Sequence, residues 1–424
     1  MENYKKRIAD ELLKEKLSGA GAVLIEGPKW CGKTTTAEQV SKSIIYMADP
    51  RKKQGYLLRA ETDPSSLLEG EKPKLIDEWQ LAPELWDAIR FEVDHAHAFG
   101  QFILTGSAVP PETDKITHTG TGRFSRLRMH SMSLYESGES NGTVSLGALF
   151  DNPDKLSADC DLKLEDVCYL ICRGGWPLST YLFGKIALNQ ARDYYDSVVS
   201  SDINRADGVQ KDSEKVRRLM RSFARLQGSQ AGDETIAADI ETNEPEKVSS
   251  VTVHNYISAL KKIFVVEDME AWNPNLRSKT VIRTADTRYF TDPSLAAAAL
   301  GFGPGDLLED TETCGLMFET LAVRDLRVYA STLDGEVYHF RDKSGLECDA
   351  VVHLRNGSYG LIEIKLGGES LIEKGAKSLK DLEKIIDTER MKKPSFKMIL
   401  TANSPMAYKR SDGIFVVPIG CLKH

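Results

Sequence analysis

Two short stretches near the N-terminus combine residue types that could do phosphate chemistry. The first is Gly27-Pro28-Lys29-Trp30-Cys31-Gly32-Lys33-Thr34, which fits the pattern G-x4-G-K-[ST] at every fixed position and is followed by Thr35. Backbone N–H groups of such a loop can hold phosphates at a helix N-terminus. Lys33 is expected to reach the β and γ phosphates of ATP, and the Thr34 hydroxyl to bind Mg²⁺. The alternative is a glycine-rich turn that matches by chance.

The second stretch is the acidic pair Asp77-Glu78, which follows the apolar residues Leu75-Ile76. Asp77 is expected to hold Mg²⁺ directly or through water. Glu78 is expected to orient and polarise the attacking water, which makes it the candidate catalytic carboxylate. The competing interpretation is a surface acid pair at the end of a strand.

Polar and cationic residues further along could contact the terminal phosphate. Thr105 ends the predicted strand 101–105 and Ser107 follows it. Either side chain could sense the γ phosphate, although a simple strand-ending turn is the alternative. Arg123 and Arg126 are candidates for a phosphate-contacting arginine, because guanidinium stabilises transferring phosphoryl charge. Arg123 could act within its own subunit or across an interface, and for both arginines a structural salt bridge is an equal alternative.

A separate group of three acids and a lysine lies in the last third of the chain. Glu319 lies on a predicted helix, Asp349 on a strand, and Glu363 and Lys365 on the next strand. Residues two apart on a strand face the same way, and a hairpin would bring Asp349 beside them. Asp349 and Glu363 could then bind Mg²⁺ while Lys365 positions a water, which is an arrangement for phosphodiester hydrolysis. The alternative is a solvated charged face.

The order of the elements predicts how these residues are positioned. Strand, loop and helix around residue 27 are followed by strands and helices in alternation, which predicts an α/β parallel sheet of the P-loop NTPase type. Residues 109–122, rich in Pro, Thr and Gly, are predicted to be a loop. We expect three domains, at 1–203, 204–304 and 305–424. The last contains strands and helices that predict a compact α/β domain.

The middle region shows the order of a winged-helix domain, which is helix, short helix, longer helix and hairpin. The helix predicted at 214–227 has an apolar face and a second face that carries Arg218, Arg221 and Arg225. The hairpin-like pattern lies at 271–290. Such a domain could bind double-stranded DNA, although a charged helix face is more often only solvated.

Composition limits the class of protein. The 424 residues include 41% hydrophobic and 28% charged residues, and the net charge is −8, which is ordinary globular composition. The seven cysteines form no C-x-x-C pair and are expected to be reduced thiols. The charged N-terminus is not a secretory signal, and no apolar run approaches the ~20 residues that span a bilayer. We therefore expect a cytoplasmic address and no membrane partner.

With these residues in place, the chain resembles the bacterial and archaeal AAA-type ATPases that end in a recurrent C-terminal domain of unknown function. The resemblance extends over the full length, and its C-terminal series is similar to the looser PD-(D/E)XK nuclease pattern. One departure is Cys348, which precedes Asp349 where that pattern has proline. The motifs that carry the resemblance are GPKWCGKTT at 27–35, LIDEWQ at 75–80, ILTGSA at 103–108, TGRFSRLRMHSMSLYESGE at 121–139, RGGWP at 173–177, YFTDPSLAAAALG at 289–301 and GLMFE…ECDAVV…IEIK.

The resemblance implies a P-loop ATPase core of the AAA+/STAND kind, a winged helix and a nuclease-like domain. It gives Lys33, Thr34, Asp77 and Glu78 the nucleotide roles, and it gives Glu319, Asp349, Glu363 and Lys365 the nuclease-like ones. Two functions remain open. One is an ATPase coupled to nucleic-acid processing, and the other is a signalling or defence switch whose C-terminal domain binds a protein partner without cleavage. A metabolic kinase is disfavoured, because no small-molecule acceptor motif follows the loop. The sequence leaves the oligomeric state open.

Overall fold

The computed structural model describes residues 4–108, 120–151, 153, 155–244, 247–275 and 283–424. Most of the predicted loop at 109–122, and residues 276–282 of the predicted hairpin, lie outside this description. The helices are α1 (Ile8–Gly19), α2 (Lys33–Glu38), α3 (Lys53–Thr62), α4 (Pro64–Leu68), α5 (Leu85–Ala96), α6 (Leu134–Ser137), α7 (Leu146–Leu149), α8 (Leu164–Arg173), α9 (Gly184–Ser197), α10 (Ile203–Arg205), α11 (Ser213–Leu226), α12 (Asp233–Asn243), α13 (Ser250–Lys262), α14 (Pro293–Leu300), α15 (Pro304–Glu309), α16 (Thr311–Ala330) and α17 (Glu369–Ile385). The strands are β1 (Ala22–Glu26), β2 (Ser43–Tyr46), β3 (Lys74–Asp77), β4 (Phe102–Gly106), β5 (Phe124–Arg128), β6 (Val144–Ser145), β7 (Ser157–Asp159), β8 (Val266–Met269), β9 (Thr287–Phe290), β10 (Gly335–Arg341), β11 (Glu347–Leu354), β12 (Tyr359–Gly367), β13 (Phe396–Asn403), β14 (Met406–Lys409), β15 (Phe415–Pro418) and β16 (Leu422–Lys423).

Contacts group the chain into two compact units. The first comprises residues up to 131 together with 200–211 and 258–265, and the second comprises 132–199, 212–257 and 266–424. The three-domain division at 1–203, 204–304 and 305–424 stays a prediction. Among the described residues, no helix is long and apolar enough to cross a membrane.

The first unit is built on a five-stranded sheet in the order β2-β3-β4-β1-β5. All neighbouring pairs are parallel, so the predicted α/β class with a parallel sheet is confirmed. Strands buried on both faces need apolar side chains on both. Val23 and Ile25 of β1 pack in the core cluster that contains Leu13 of α1, whereas Leu24 packs in the cluster that contains Trp86 of α5. The carboxyl ends of β1, β3 and β4 therefore meet at one edge, where ligands bind in open α/β sheets.

In the second unit, α11 and α12 precede the antiparallel pair β8 and β9. The helix order agrees with the pattern expected of a winged helix, but the first strand of the pair, Val266–Met269, lies before the hairpin predicted at 271–290. The winged-helix identity stays a prediction. The arginine face of α11 is largely ion-paired, because Arg221 contacts Glu244 at 3.0 Å and Arg225 contacts Asp239 at 2.6 Å. These acids on and just after α12 offset the positive charge that favoured DNA binding.

The second unit also contains a seven-stranded mixed sheet in the order β10-β11-β12-β13-β15-β14-β7. Apolar residues of β11, β12 and β13 pack with α17 in one core cluster. β7 pairs antiparallel with β14, and β6 pairs with β16. The C-terminal strands thus pair with strands that lie far earlier in the chain.

Several motifs that carried the family resemblance meet in one buried polar network of the second unit. Arg324 of α16 contacts Asp292 at 3.0 Å and Asp325 at 2.7 Å. The Gly175 N–H donates to Asp292, and the Leu134 N–H donates to Asp325. A buried guanidinium and two carboxylates satisfy one another here, as charges removed from water require. These motifs therefore have a structural role.

Candidate functional site

The loop between β1 and α2 has a backbone that depends on glycine at two positions. Gly27 has φ +154°, and a Cβ there would lie 2.1 Å from the carbonyl oxygen of Met129. Gly32 has φ +100° and immediately precedes α2. Other residues rarely adopt this left-handed backbone. The loop therefore turns tightly over the first turn of α2, which contains Thr34 and Thr35.

The Lys33 side chain lies inside this loop. Its Nζ donates hydrogen bonds to the carbonyl oxygens of Gly27, at 2.9 Å, and Pro28, at 2.8 Å. The residue is buried. An ammonium held by two neutral carbonyls can exchange them for phosphate oxygens, which form stronger charge-assisted bonds. Lys33 is therefore placed as a phosphate-binding residue requires.

The Asp77 carboxylate accepts hydrogen bonds from two hydroxyl groups at the edge of the sheet where the parallel strands end. The Thr34 Oγ1 donates to its Oδ1 at 2.6 Å, and the Thr105 Oγ1 donates to the same atom at 2.7 Å. The second bond follows from the parallel register, which aligns Asp77 with Thr105. Hydroxyl and carboxylate oxygens are hard donors that suit Mg²⁺, so Thr34 and Asp77 fit the predicted metal ligands.

Glu78 begins the turn after β3 with a left-handed φ of 57°. Its carboxylate accepts a long hydrogen bond from Ser107 Oγ at 3.3 Å and a shorter one from Gln80 Nε2. Both predicted polar residues at the end of β4 thus contact the acid pair, Thr105 through Asp77 and Ser107 through Glu78. Gln80 was missed by sequence reasoning, although it lies in the LIDEWQ motif.

The structure does not bring Arg123 to this edge. The register pairs Ala22 with Phe124, so Arg123 precedes β5 at the opposite end of the sheet from the loop. Its Nε donates to Asp94 Oδ1 at 2.6 Å. Arg126 pairs with Glu26 at 2.8 Å. Both arginines therefore form the salt bridges weighed as alternatives, and within one chain Arg123 is too far away to contact a phosphate in the loop.

Arg7, which belongs to no recognised motif, holds the loop between β1 and α2 from its outer side. Arg7, at the start of α1, donates through Nη1 to the carbonyl oxygen of Cys31 at 2.6 Å and through Nη2 to that of His130 at 3.0 Å. The Tyr4 hydroxyl also contacts Thr36 of α2 at 2.9 Å. The N-terminal segment therefore contacts the loop at Cys31, helix α2 at Thr36, and His130, which follows β5. No local pattern signals contacts of this kind.

The four residues of the second predicted site lie close together in the second unit. Lys365 Nζ lies 2.7 Å from Asp349 Oδ2 and 2.7 Å from Glu363 Oε2. The Ile364 N–H also donates to Asp349 Oδ2 at 2.7 Å. Glu319 accepts a 2.6 Å hydrogen bond from the Tyr289 hydroxyl. The four predicted residues form one electrostatic group, in which Lys365 bridges two carboxylates.

Burial and like charge change the protonation of this cluster. Burial, then the neighbouring charge of Asp349, raises the pKa of Glu363 to about 7 and that of Glu319 to about 8. Oε1 of Glu363 is buried and has no hydrogen-bond partner among the residues that the structure describes. Within the described part of the chain, no three His, Cys, Asp or Glu side chains lie where they would hold a metal ion together. Mg²⁺ binding here would therefore rest on Asp349 and Glu363, against competition from Lys365.

Glu319→Gln is expected to flatten the pH dependence of stability in a buffer that contains EDTA. In the wild type, an unfolded Glu319 ionises near its ordinary pKa of 4.5, but the folded one keeps its proton until about 8. The folded state therefore binds more protons in this window, and the free energy of unfolding falls as pH rises. The contribution of Glu319 is at most about 1.4 kcal/mol per pH unit. Urea titrations at several pH values measure it.

The exposed Glu312, in the first turn of the same helix, supplies the control for this prediction. Glu312→Gln should leave the slope unchanged. Parallel pH profiles for wild type and Glu319→Gln would contradict a raised pKa at Glu319.

Three regions of the chain match known protein families. Residues 20–138 match the AAA domain family, 164–306 match a domain of unknown function (DUF8612), and 314–422 match a domain of unknown function (DUF4143). The chain therefore contains an AAA domain followed by a C-terminal domain of unknown function, which confirms that part of the resemblance. The nuclease-like character of the C-terminal domain stays a prediction.

Two relatives are mycobacterial proteins without a characterised function. The chain is 25% identical over 381 residues to the uncharacterized protein Rv2008c of Mycobacterium tuberculosis and, equally, to the uncharacterized protein Mb2031c of Mycobacterium bovis. The match covers 89% of this chain and 78% of each relative. Among solved structures, the Walker-type ATPase PABY2304 of Pyrococcus abyssi aligns with a TM-score of 0.42 at 14% identity. That alignment covers 70% of this chain and 96% of the other.

Proposed function

We propose that this protein binds ATP at residues 27–35 and hydrolyses it with Mg²⁺. The observation that carries the proposal is the hydrogen bond from the loop residue Thr34 to Asp77, beside the buried Lys33. Hydroxyl, carboxylate and ammonium thus converge where β1 and β3 end. The AAA domain match over the same residues supports the assignment.

Each residue of the site has a distinct task in this proposal. Lys33 and the loop N–H groups bind the phosphates, which concentrates positive charge where negative charge develops. Thr34 and Asp77 would hold Mg²⁺, which supplies further positive charge to the phosphate oxygens. Glu78 accepts a hydrogen bond from the attacking water and orients it, while Ser107 and Gln80 hold the Glu78 carboxylate in place. Arg123 has no task within its own chain.

Which process ATP hydrolysis drives is a separate question, and there are two proposed answers. One is nucleic-acid processing through residues 204–304 and 305–424, and the other is a switch whose C-terminal domain binds a protein. The ion pairs of Arg221 and Arg225 reduce the support for a DNA-binding face. Mg²⁺-dependent ATP turnover, measured with and without duplex DNA while cleavage is scored in the same tube, separates the two. Stimulation or cutting supports the first answer, whereas turnover that ignores DNA supports the second.

Asp349→Ala is expected to leave basal ATP turnover within about twofold of wild type. Asp349 contacts Lys365 and the Ile364 N–H, whereas the residues that bind ATP in this proposal belong to the other compact unit. Removal of one partner from a partly buried ion pair still destabilises its surroundings, so folding must be verified by circular dichroism. A large loss of turnover by a folded variant would contradict the separation of the two sites.

A further inference from the structure

One loop residue is paired with a carboxylate from a distant part of the chain. Lys29 Nζ lies 3.2 Å from Oδ1 and 3.4 Å from Oδ2 of Asp202. Asp202 ends a single π-helical turn, Val198–Asp202, and it belongs to the segment 200–211 that packs in the first unit. Turns of this kind are rare and are frequent at functional sites.

The Asp202 carboxylate depends on this ion pair because the residue is buried. The residue is only 7% exposed, and a buried carboxylate needs a cation or hydrogen-bond donors. Arg205 gives a second contact to the same oxygen, but at 3.8 Å and from a side chain that is 73% exposed. Lys29 is thus the closer of these two cations. Its own side chain is 40% exposed, so it can change partner without a large desolvation cost.

We propose that Asp202 competes with the terminal phosphate of ATP for Lys29, which makes Lys29 a residue that distinguishes ATP from ADP. This inference rests on the proposed ATP site and extends it. Both anions accept hydrogen bonds from an ammonium, but a phosphate group carries more charge than one carboxylate. ADP has no third phosphate to draw Lys29 away, so the Lys29–Asp202 pair persists in its presence.

The competition also links the nucleotide to another part of the chain. When Lys29 leaves, Asp202 stays buried without its nearer cation, so the segment 200–211 is less stable in that position. The chain enters this segment from α9 and leaves it into α11, so a rearrangement is passed along the backbone in both directions. Since coupling between two equilibria is reciprocal, a displacement of the segment would in turn free Lys29 and strengthen ATP binding.

Asp202→Asn tests the competition in a Glu78→Gln background, in which ATP stays intact. Calorimetry should show about 5- to 10-fold tighter ATP binding than in the Glu78→Gln parent, a coupling of ordinary size, with ADP affinity unchanged within about twofold. The matched control is Asp207→Asn, which breaks the Lys211–Asp207 pair of the same segment and should change neither affinity. ATP affinity unchanged or weakened by Asp202→Asn would overturn the inference, whereas a parent that binds no ATP would overturn the proposed function instead.

Lys29→Gln supplies the second test and decides the matter if Asp202→Asn does not fold. It should reduce the preference for ATP over ADP that the parent shows, leaving only the share that Lys33 and Mg²⁺ supply, and Lys29→Arg should restore most of the loss. Hydrogen exchange adds a readout independent of affinity, because residues 200–211 should exchange faster with ATP than with ADP in the parent only. An ATP-over-ADP preference that is unchanged in Lys29→Gln, or equal exchange with the two nucleotides in the parent, would overturn the inference.

Discussion

Glu78→Gln is expected to slow ATP turnover by about 10²- to 10³-fold while ATP affinity stays within about threefold of wild type. A positioned general base contributes about 10²- to 10⁴-fold to rate, and glutamine keeps the size of the side chain but cannot accept a proton. Glu78 directly follows Asp77 and is held by Ser107 and Gln80. Steady-state phosphate release and calorimetry measure the two quantities separately.

The control for Glu78→Gln is Glu61→Gln, which removes an exposed carboxylate on α3 of the same unit. It should turn over ATP at the wild-type rate. Normal turnover by Glu78→Gln would show that another group orients the water, and lost ATP binding would show that Glu78 supports the loop instead.

Arg324→Ala is expected to lower the free energy of unfolding of the second unit by about 3–5 kcal/mol, the cost of breaking a buried ion pair by removing one partner. Arg324 is 2% exposed and lies between Asp292 and Asp325, which are also buried. Its loss leaves two carboxylates without their cation. Urea unfolding measures the difference.

A surface ion pair supplies the comparison for Arg324→Ala. Arg390 contacts Asp387 at 3.4 Å from a side chain that is 75% exposed, so Arg390→Ala should cost less than about 1 kcal/mol. Equal costs for the two variants would contradict a stabilising role for the network around Arg324.

The local parts of the proposed nucleotide site are the parts that could be predicted from the sequence. The G-x4-G-K-[ST] loop dictates its own shape, because Gly27 and Gly32 occupy backbone conformations that other residues avoid. The contact of Thr34 with Asp77 follows once the strands are known to be parallel. Arg123 shows the limit of this reasoning. Its guanidinium suggested a phosphate contact, but the register of β5 against β1 places it at the end of the sheet opposite the loop.

Contacts between distant segments could not be predicted. Asp202 lies 173 residues from Lys29, and Arg7 lies 123 residues from His130. Neither pair has a local pattern, since each depends on how whole elements pack. The same holds for Asp292, whose motif was recognised but whose buried ion pair with Arg324 was not predicted.

The C-terminal cluster of Glu319, Asp349, Glu363 and Lys365 could be predicted only in part. Alternation along β12 correctly put Glu363 and Lys365 on one side, and the hairpin brought Asp349 to them. The sequence could not show that Lys365 would bridge both carboxylates, nor that Tyr289 would donate to Glu319. Those contacts depend on side-chain positions that spacing does not determine.

The most direct test of the central claim is calorimetric titration of Mg²⁺ and ATP into the wild-type chain and into Lys33→Ala. We predict saturable binding of one ATP per wild-type chain. The variant should bind about 100-fold more weakly, because charged hydrogen bonds worth about 3 kcal/mol are lost, while Lys42→Ala, at an exposed lysine before β2, binds normally. Equal affinity in wild type and Lys33→Ala, or no binding by the wild type, would contradict the assignment of residues 27–35 as an ATP site.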